Sequence, residues 1–314
     1  MTQRQLLIRL AVIPLGLILI FVISIAIARA DGSCTGYTVK PGDNLYRIGL
    51  NHGTTYQALA ALNGLPWPYR IYTGQCLRLP TTPTPSPVVH AIKGLAMADP
   101  SHPEDLAALG ASWYYTWGWN TSAGAIPMVR SMQLPPSCAP QILVGNEPNA
   151  KEPNGAPVRP QDAAVLVRAI KAQCPTSLLI VGNVSADDWS TVGGWGSGYN
   201  WLRAFLQAYP DFHDALSIHC YTQGGASYCI SLLAAMRGLY AGDMWMTEGN
   251  CLSCTPSEFG RLLDYAGGAF SHVAFYTNRQ PAAAYTQGWA LQGADLVGQD
   301  GALTLNGQVY AAWH

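Results

Sequence analysis

The chain has 314 residues, a formal net charge of −1 and only 11% charged residues. That balance excludes the basic face with which proteins hold nucleic acid, and the length suits one large domain with a smaller one. Ten Trp and 16 Tyr against 6 Phe favour rings with a polar edge, which suit sugar faces as well as ordinary cores.

Residues 1–30 place Arg4 and Arg9 ahead of an uncharged apolar run from Leu10 to Ala28, and Ala28-Arg29-Ala30 has the small-x-small form of a cleavage site. The run is longer than the ~7–15 residues of a signal-peptide core and close to the ~20 that span a bilayer. It fits a cleaved signal peptide and an uncleaved anchor alike. Either way, Arg4 and Arg9 stay cytoplasmic and everything after Asp31 lies outside the membrane. The expected location is therefore extracellular or in the cell envelope, with membrane contact only through an uncleaved N-terminal segment. Eight cysteines, an even number, follow this export-like start. They read as disulfides formed in an oxidising compartment.

Residues 31–80 form a compact unit. Tyr37-Thr38-Val39 is a short strand and Lys40-Pro41-Gly42-Asp43 a turn, with a helix beginning at Asn44. A second helix covers Thr54–Asn63 with Gly64 after its end, and a strand closes the unit within Tyr72–Pro80. Three motifs, Tyr37-Thr38-Val39-Lys40-Pro41-Gly42-Asp43-Asn44-Leu45, Leu62-Asn63-Gly64-Leu65 and Gly74-Gln75-Cys76-Leu77-Arg78-Leu79-Pro80, resemble a LysM domain along its whole length. The resemblance implies a βααβ fold that binds N-acetylglucosamine polymers, peptidoglycan or chitin. The groove would lie between the loops at Gly42, Asp43, Asn44, Leu45 and Tyr46 and at Gly64–Tyr72. Trp67 and Tyr69 in the second loop would either face the sugar or pack the loop. Cys34 and Cys76 flank the two strands, and a bridge between them would suit a unit this small.

Residues 81–90 are a Pro/Thr-rich linker, with proline at alternate positions favouring an extended spacer. From 91 to 314, eight strand-like runs alternate with helical ones: Ile92–Ala96, Ser112–Thr116, Ala125–Arg130, Gln141–Val144, Leu178–Val181, Ala215–His219, Met244–Thr247 and Val273–Tyr276. The clearest helices are Gln161–Gln173, Trp201–Tyr209, Ile230–Tyr240 and Ser257–Ala266. The last begins with Thr255 as cap, Pro256 at the first position and Glu258 completing a capping box. Alternation of this kind predicts an α/β fold, a (β/α)8 TIM barrel preceded by the small βααβ domain.

In such a barrel all strand ends share one rim. Gln141–Val144 runs into Gly145-Asn146-Glu147-Pro148 after the fourth strand, and Met244–Thr247 stops on Glu248 at the seventh. Glycoside hydrolysis needs a carboxylic acid at the leaving oxygen and a carboxylate across the anomeric carbon. Asn146-Glu147-Pro148, Trp245-Met246-Thr247-Glu248 and His219-Cys220-Tyr221 at the sixth strand resemble the retaining glycoside hydrolases of clan A. Glu147 would then be the acid/base and Glu248 the nucleophile, with His219 and Tyr221 orienting it. Within the clan, Val144–Asn149 and Met244–Gly249 are most similar to the family 128 β-1,3-glucanases. Two features depart from the clan's pattern. Strand eight carries Phe275-Tyr276-Thr277-Asn278 in place of the usual Trp, and no arginine ends strand two. The sugar at the cleavage subsite stays open for that reason.

Asn146 would hydrogen-bond the sugar's 2-hydroxyl, and Tyr276 would contact substrate. Trp117 and Trp119 are sugar platforms or core residues. Asn183 ends strand five as a substrate contact or a loop residue, and Asp187, Asp188 and Trp189 belong to that loop's solvated surface. Cys138 and Cys174 each precede a strand, the fourth and fifth, where neighbouring entrances would let them pair. Cys220 with Cys229, and Cys251 with Cys254, would brace the loops after strands six and seven, one of the fifteen pairings open to six cysteines. Neither a metal site nor a cofactor is implied, since no paired C-x-x-C or His-x-x-x-His spacing occurs. The expected protein is a monomer that hydrolyses a β-linked polysaccharide while its LysM unit holds peptidoglycan or chitin. The alternatives are an inactive carbohydrate-binding envelope protein on the same scaffold and a peptidoglycan or chitin hydrolase. The Asp-x-x-Asp-x-Asp-x-Glu signature of substrate-assisted chitinases is absent from the sequence.

Overall fold

A computed structural model of the chain describes residues 34–52, 56–65, 69–79, 91–131, 133–150, 155–186, 197–223, 225–286 and 291–314. The apolar run Leu10–Ala28, the linker, Trp67, the residues 187–189 and the side chain of Tyr46 lie outside them. Among the described residues no helix is long and apolar enough to cross a membrane.

The small domain is built as β1 (Tyr37–Thr38), α1 (Leu45–Asn51), α2 (Tyr56–Leu62) and β2 (Cys76–Leu77). The two strands pair antiparallel, Tyr37 opposite Leu77 and Thr38 opposite Cys76. That register places Cys34 within reach of Cys76, and the two are bonded. In the chain-entropy model, a cross-link spanning 42 residues contributes about 4 kcal/mol. The core it supplements is small: Val39, Leu45, Ile48, Leu59, Ala60 and Leu77. Asp43 holds the first turn by accepting from the Lys40 N–H and the Tyr37 hydroxyl, both at 2.7 Å. Asn44 caps α1 by accepting from Arg47 N–H at 2.8 Å. Leu45, expected in the glycan groove, turns into this core and is 6% exposed. The first position of a short helix is its best anchor in a domain with so little apolar surface. Tyr69 packs edge-on against Tyr56.

The large domain is a closed parallel barrel. Its strands are β3 (Ile92–Ala96), β4 (Trp113–Tyr115), β5 (Met128–Val129), β6 (Gln141–Val144), β7 (Leu178–Ser185), β8 (Ala215–Thr222), β9 (Met244–Cys251) and β10 (His272–Tyr276). Each strand pairs with the next in chain order from β5 to β10, β10 returns to β3, and β3 pairs with β4. Closure comes from a parallel bridge between Tyr114 and Ala125, ahead of β5. The helices are α3 (Glu104–Leu109), α4 (Pro160–Gln173), α5 (Gly198–Ala208), α6 (Ala226–Arg237), α7 (Pro256–Ala269), α8 (Ala282–Thr286) and α9 (Leu305–Ala312).

The two-residue period of a strand divides the apolar runs between two cores. Trp113, Tyr115, Met128, Leu143, Ile180, Ala215, Trp245 and Ala274 fill the barrel interior. Tyr114, Ile142, Val144, Leu179, Met244 and Met246 point outward to the helices. Trp113 and Trp245 lie 5.4 Å apart inside, with His272 stacked on Trp245 at 3.6 Å. Gly94 is required there, because a Cβ would collide with the Trp113 ring. With the lower barrel filled by these rings, polar chemistry is confined to the upper rim.

Several bounds differ from the sequence reading. The third barrel strand is cut to two residues, since Pro127 has no N–H for the ladder. Strands β7, β8 and β9 run three or four residues further than their apolar cores, ending at Ser185, Thr222 and Cys251. Glu248 is therefore inside its strand and not at the end of it. Helix α6 starts four residues early, directly after Gly225. The capping box at Thr255 is present in full. Above β10, Arg279 pairs with buried Asp105 of α3 at 2.8 and 2.5 Å, while Asn278 donates to Asp105 and to the Asp99 carbonyl. These contacts tie the loop after the eighth barrel strand to the loop after the first.

Candidate active site

Two irregularities bring the glutamates together. After β6 the backbone turns left-handed at Gly145 (φ 89°) and again at Glu147 (φ 43°). The Glu147 N–H donates to the Asn183 carbonyl at 2.9 Å, and Asn183 is itself left-handed (φ 46°) where β7 slips register against β8. A non-glycine residue held there is strained, and such residues collect at functional sites. The Asn183 side chain explains how it is held. Its amide donates to the Gly145 carbonyl at 2.8 Å and its oxygen accepts from Ser217 and Thr247 hydroxyls at 2.9 and 2.7 Å. Asn183 is wholly buried. It supports the Glu147 turn from behind and does not reach the cleft. Asn149 adds a second tie, exchanging hydrogen bonds with the Ser185 backbone.

On β9 the pairing steps from Ile218–Met246 to His219–Glu248, so Thr247 is the extra residue of a bulge. Bulges re-aim side chains next to active sites. Here Thr247 bonds to Asn183, and Glu248 meets donors from two other strands. Its Oε1 accepts from the Tyr115 hydroxyl at 2.5 Å and the Trp117 indole N–H at 2.9 Å, and its Oε2 from the Tyr221 hydroxyl at 2.7 Å. His219 Nδ1 lies 3.2 Å from Glu147 Oε1 and 3.5 Å from Glu248 Oε2. Donor atoms of Glu147, His219 and Glu248 all fall within 4.8 Å of one another.

Burial of His219 opposes its charge, but the Glu248 and Glu147 carboxylates outweigh it and raise its pKa above the usual imidazole value. Burial first, then the charge of Glu248, pushes the Tyr115 and Tyr221 phenols far above their ordinary range. Both phenols therefore keep their protons at neutral pH and donate to Glu248. Tyr276 is raised for the same two reasons. Trp117, left-handed at φ 54°, meets Tyr115 and Tyr276 edge-on at 5.3 and 5.8 Å, and Tyr276 meets Tyr221 at 6.0 Å. Trp117, Tyr276 and Tyr221 thus line one wall beside the carboxylates. Asn146, 4% exposed, directly precedes Glu147. Trp119 goes elsewhere and packs on the outer core between strands and helices.

Glu147, His219 and Glu248 are also the set that could share a cation. His219 Nδ1 stands between the two carboxylates, and both lone pairs of Glu248 Oε1 already receive donors. Sequence reasoning missed Tyr115 and Asn149. Tyr115 was discoverable: the inward phase of Trp113 reaches it two residues on, at the level where polar groups begin. The remaining cysteines are bonded as Cys138–Cys174, Cys220–Cys229 and Cys251–Cys254. The last two pairs brace the segments that carry Tyr221 and Glu248.

Eight parallel strands closed on themselves, with two glutamates meeting above the fourth and seventh beside an aromatic wall, define a β/α barrel of the glycoside hydrolase type. Residues 94–310 match the family model described as the glycosyl hydrolase catalytic core, and the chain belongs to that family. Residues 37–80 match the LysM domain model. Among curated relatives, the uncharacterized lipoprotein YgeR of Escherichia coli is 39% identical over 74 residues, 21% of this chain and 30% of its own length. The chain thus spans under a third of that relative. Among the solved structures that share the barrel are two of family 128. A family 128 (subgroup II) endo-β-1,3-glucanase from Sorangium cellulosum has a TM-score of 0.55 at 20% identity, over 71% of this chain and 99% of its own. A family 128 (subgroup VII) oligosaccharide-binding protein from Trichoderma gamsii has a TM-score of 0.51 at 17% identity, over 71% and 93%.

Proposed function

We propose that the chain is an envelope or extracellular glycoside hydrolase that cleaves a β-linked polysaccharide with retention, held on peptidoglycan or chitin by its LysM domain. The observation that carries this reading is the proximity of the two carboxylates, one oxygen of each lying within 4.8 Å of the other. Retaining pairs sit ~5–5.5 Å apart, whereas inverting pairs stand ~6.5–9.5 Å apart to admit a water. The roles follow from the hydrogen bonds. Glu248 receives three donors and is held as an acceptor, which suits a nucleophile. Glu147 is the more open side chain, 14% exposed against 7%, which suits exchange of a proton with substrate and solvent.

In the first step Glu147 gives its proton to the glycosidic oxygen as Glu248 attacks the anomeric carbon. The leaving sugar departs as an alcohol and a glycosyl ester remains on Glu248. In the second, Glu147 takes a proton from water, the oxygen of that water attacks the same carbon, and the Glu248 carboxylate is released. Four disulfides, the LysM match and the N-terminal apolar run support the location outside the cytoplasm.

The Sorangium enzyme acts on β-1,3-glucan, which makes that polymer the first substrate to offer. Wild type and Glu248→Gln should be incubated with β-1,3-glucan, β-1,4-glucan, xylan, chitin and peptidoglycan, and the products read by mass spectrometry. Wild type is expected to release oligosaccharides from β-1,3-glucan and the variant none. Release by neither protein from any glycan would favour a binding protein, a reading that the Trichoderma neighbour keeps in view. For the small domain, the full chain is expected to sediment with insoluble peptidoglycan or chitin, and a chain starting at Ala91 to stay in solution. Equal sedimentation of both would remove LysM from the targeting role. Affinity should be modest, because one copy offers no avidity.

A further inference from the structure

Strand β4 offers no arginine to the nucleophile, and what stands there is Tyr115. Its ring is wholly buried in the barrel interior, and its hydroxyl meets Glu248 Oε1 at 2.5 Å. The Trp117 indole reaches the same oxygen at 2.9 Å. The two oxygens of Glu248 are therefore unequal. Both lone pairs of Oε1 face donors held by rigid rings on one strand and its following turn. Among the described residues, Oε2 accepts from Tyr221 and faces His219 and, beyond it, Glu147. Two uncharged donors are thus aimed at one atom.

We propose that Tyr115 is a positioning residue that fixes Oε1 as the spectator oxygen of Glu248 and leaves Oε2 to attack the anomeric carbon. This rests on the retaining reading above. In the glycosyl ester, Oε2 carries the sugar and Oε1 becomes the ester carbonyl. When water attacks the anomeric carbon, the bond to Oε2 breaks and its electron pair returns to the carboxylate. The charge then spreads onto Oε1, where the Tyr115 and Trp117 donors are already in place. A preorganised donor at an atom that gains charge acts chiefly in that step. Tyr115 should therefore matter most for release of the covalent intermediate. The phenol's strongly raised pKa keeps it a donor throughout.

The test uses the full chain carrying Tyr115→Phe, which keeps the ring and removes the hydroxyl. The substrate is a dinitrophenyl β-glycoside of the disaccharide released from the polysaccharide that wild type cleaves. Loss of one such donor should lower kcat by about 10²-fold. KM should fall by a similar factor, with a burst of one equivalent of phenol and a glycosyl adduct in the intact mass of the quenched protein. A merely structural defect would reduce the burst and leave KM alone. A kcat within about 3-fold of wild type, or a fall in kcat with unchanged KM and no adduct, overturns the proposal. Trp117→Phe removes the other donor to the same oxygen and is read in the same way should Tyr115→Phe not fold. Retention in the first product together with loss of activity in Glu248→Ala, beside a normal Tyr115→Phe, would sink this inference alone. Inversion, or an active Glu248→Ala, would take the retaining mechanism with it.

Discussion

Replacing Glu248 with alanine is expected to lower turnover of the natural polysaccharide by about 10⁴–10⁶-fold, the scale seen when a covalent nucleophile is removed. The fold should survive. The side chain lies at the top of the barrel, above the apolar rings that fill it, and its loss frees three donors that water can reach from the rim. Added azide should then restore turnover, because a small anion fits where the carboxylate was and attacks the same carbon. Only one displacement occurs in that case, so the glycosyl azide should have the opposite anomeric configuration to the substrate. NMR of the azide product checks this. A product of unchanged configuration, or residual activity above one per cent without azide, would remove Glu248 from the nucleophile's role.

Glu147→Ala should separate substrates by their leaving groups. A sugar alcohol departs slowly unless protonated, so activity on polysaccharide should fall by about 10²–10⁴-fold, the usual contribution of a positioned general acid. An aryl glycoside with a strongly acidic phenol needs little protonation. Its first step should be nearly normal and its second slow, since no base remains to activate water. Stopped-flow traces should show a burst of phenol followed by slow turnover that azide accelerates. Here azide meets a formed glycosyl ester, so the product should keep the substrate's configuration. Two opposite azide products from two variants of one enzyme are hard to reconcile with any other assignment of the pair. Equal losses on polysaccharide and aryl glycoside would exclude Glu147 as the acid.

Much of the barrel was legible because parallel strands are buried on both faces and read as unbroken apolar runs. The glutamates were legible because short motifs fell at the right strand ordinals. What escaped depends on partners remote in sequence. Asn183 reads locally as a loop residue, yet its conformation is set by Ser217 and Thr247, 34 and 64 positions away. The upper parts of β7, β8 and β9 carry polar residues that look like loop until their buried hydrogen bonds are known. Trp117 and Trp119 share a strand's two-residue phase on paper. The left-handed turn at Trp117 breaks that phase, so one ring reaches the carboxylate and the other the outer core. Tyr115 sits among aromatic neighbours that signal packing, so its inward phase was the one cue to its place beside Glu248.

The donors to Glu248 have a bearing on inhibitor chemistry. Two phenols and an indole orient the carboxylate without neutralising it. Among the described residues no Lys or Arg pairs with Glu147 or Glu248, and His219 is the one ion-pair neighbour of both. A ligand with a permanent positive charge at the position of the sugar ring would supply that missing counter-charge. At ~4 Å and an effective dielectric of about 20, such a pair is worth ~4 kcal/mol before desolvation. Basic imino sugars should therefore gain far more from this pocket than uncharged lactones of the same shape, and medicinal chemistry against the enzyme should start from a ring nitrogen.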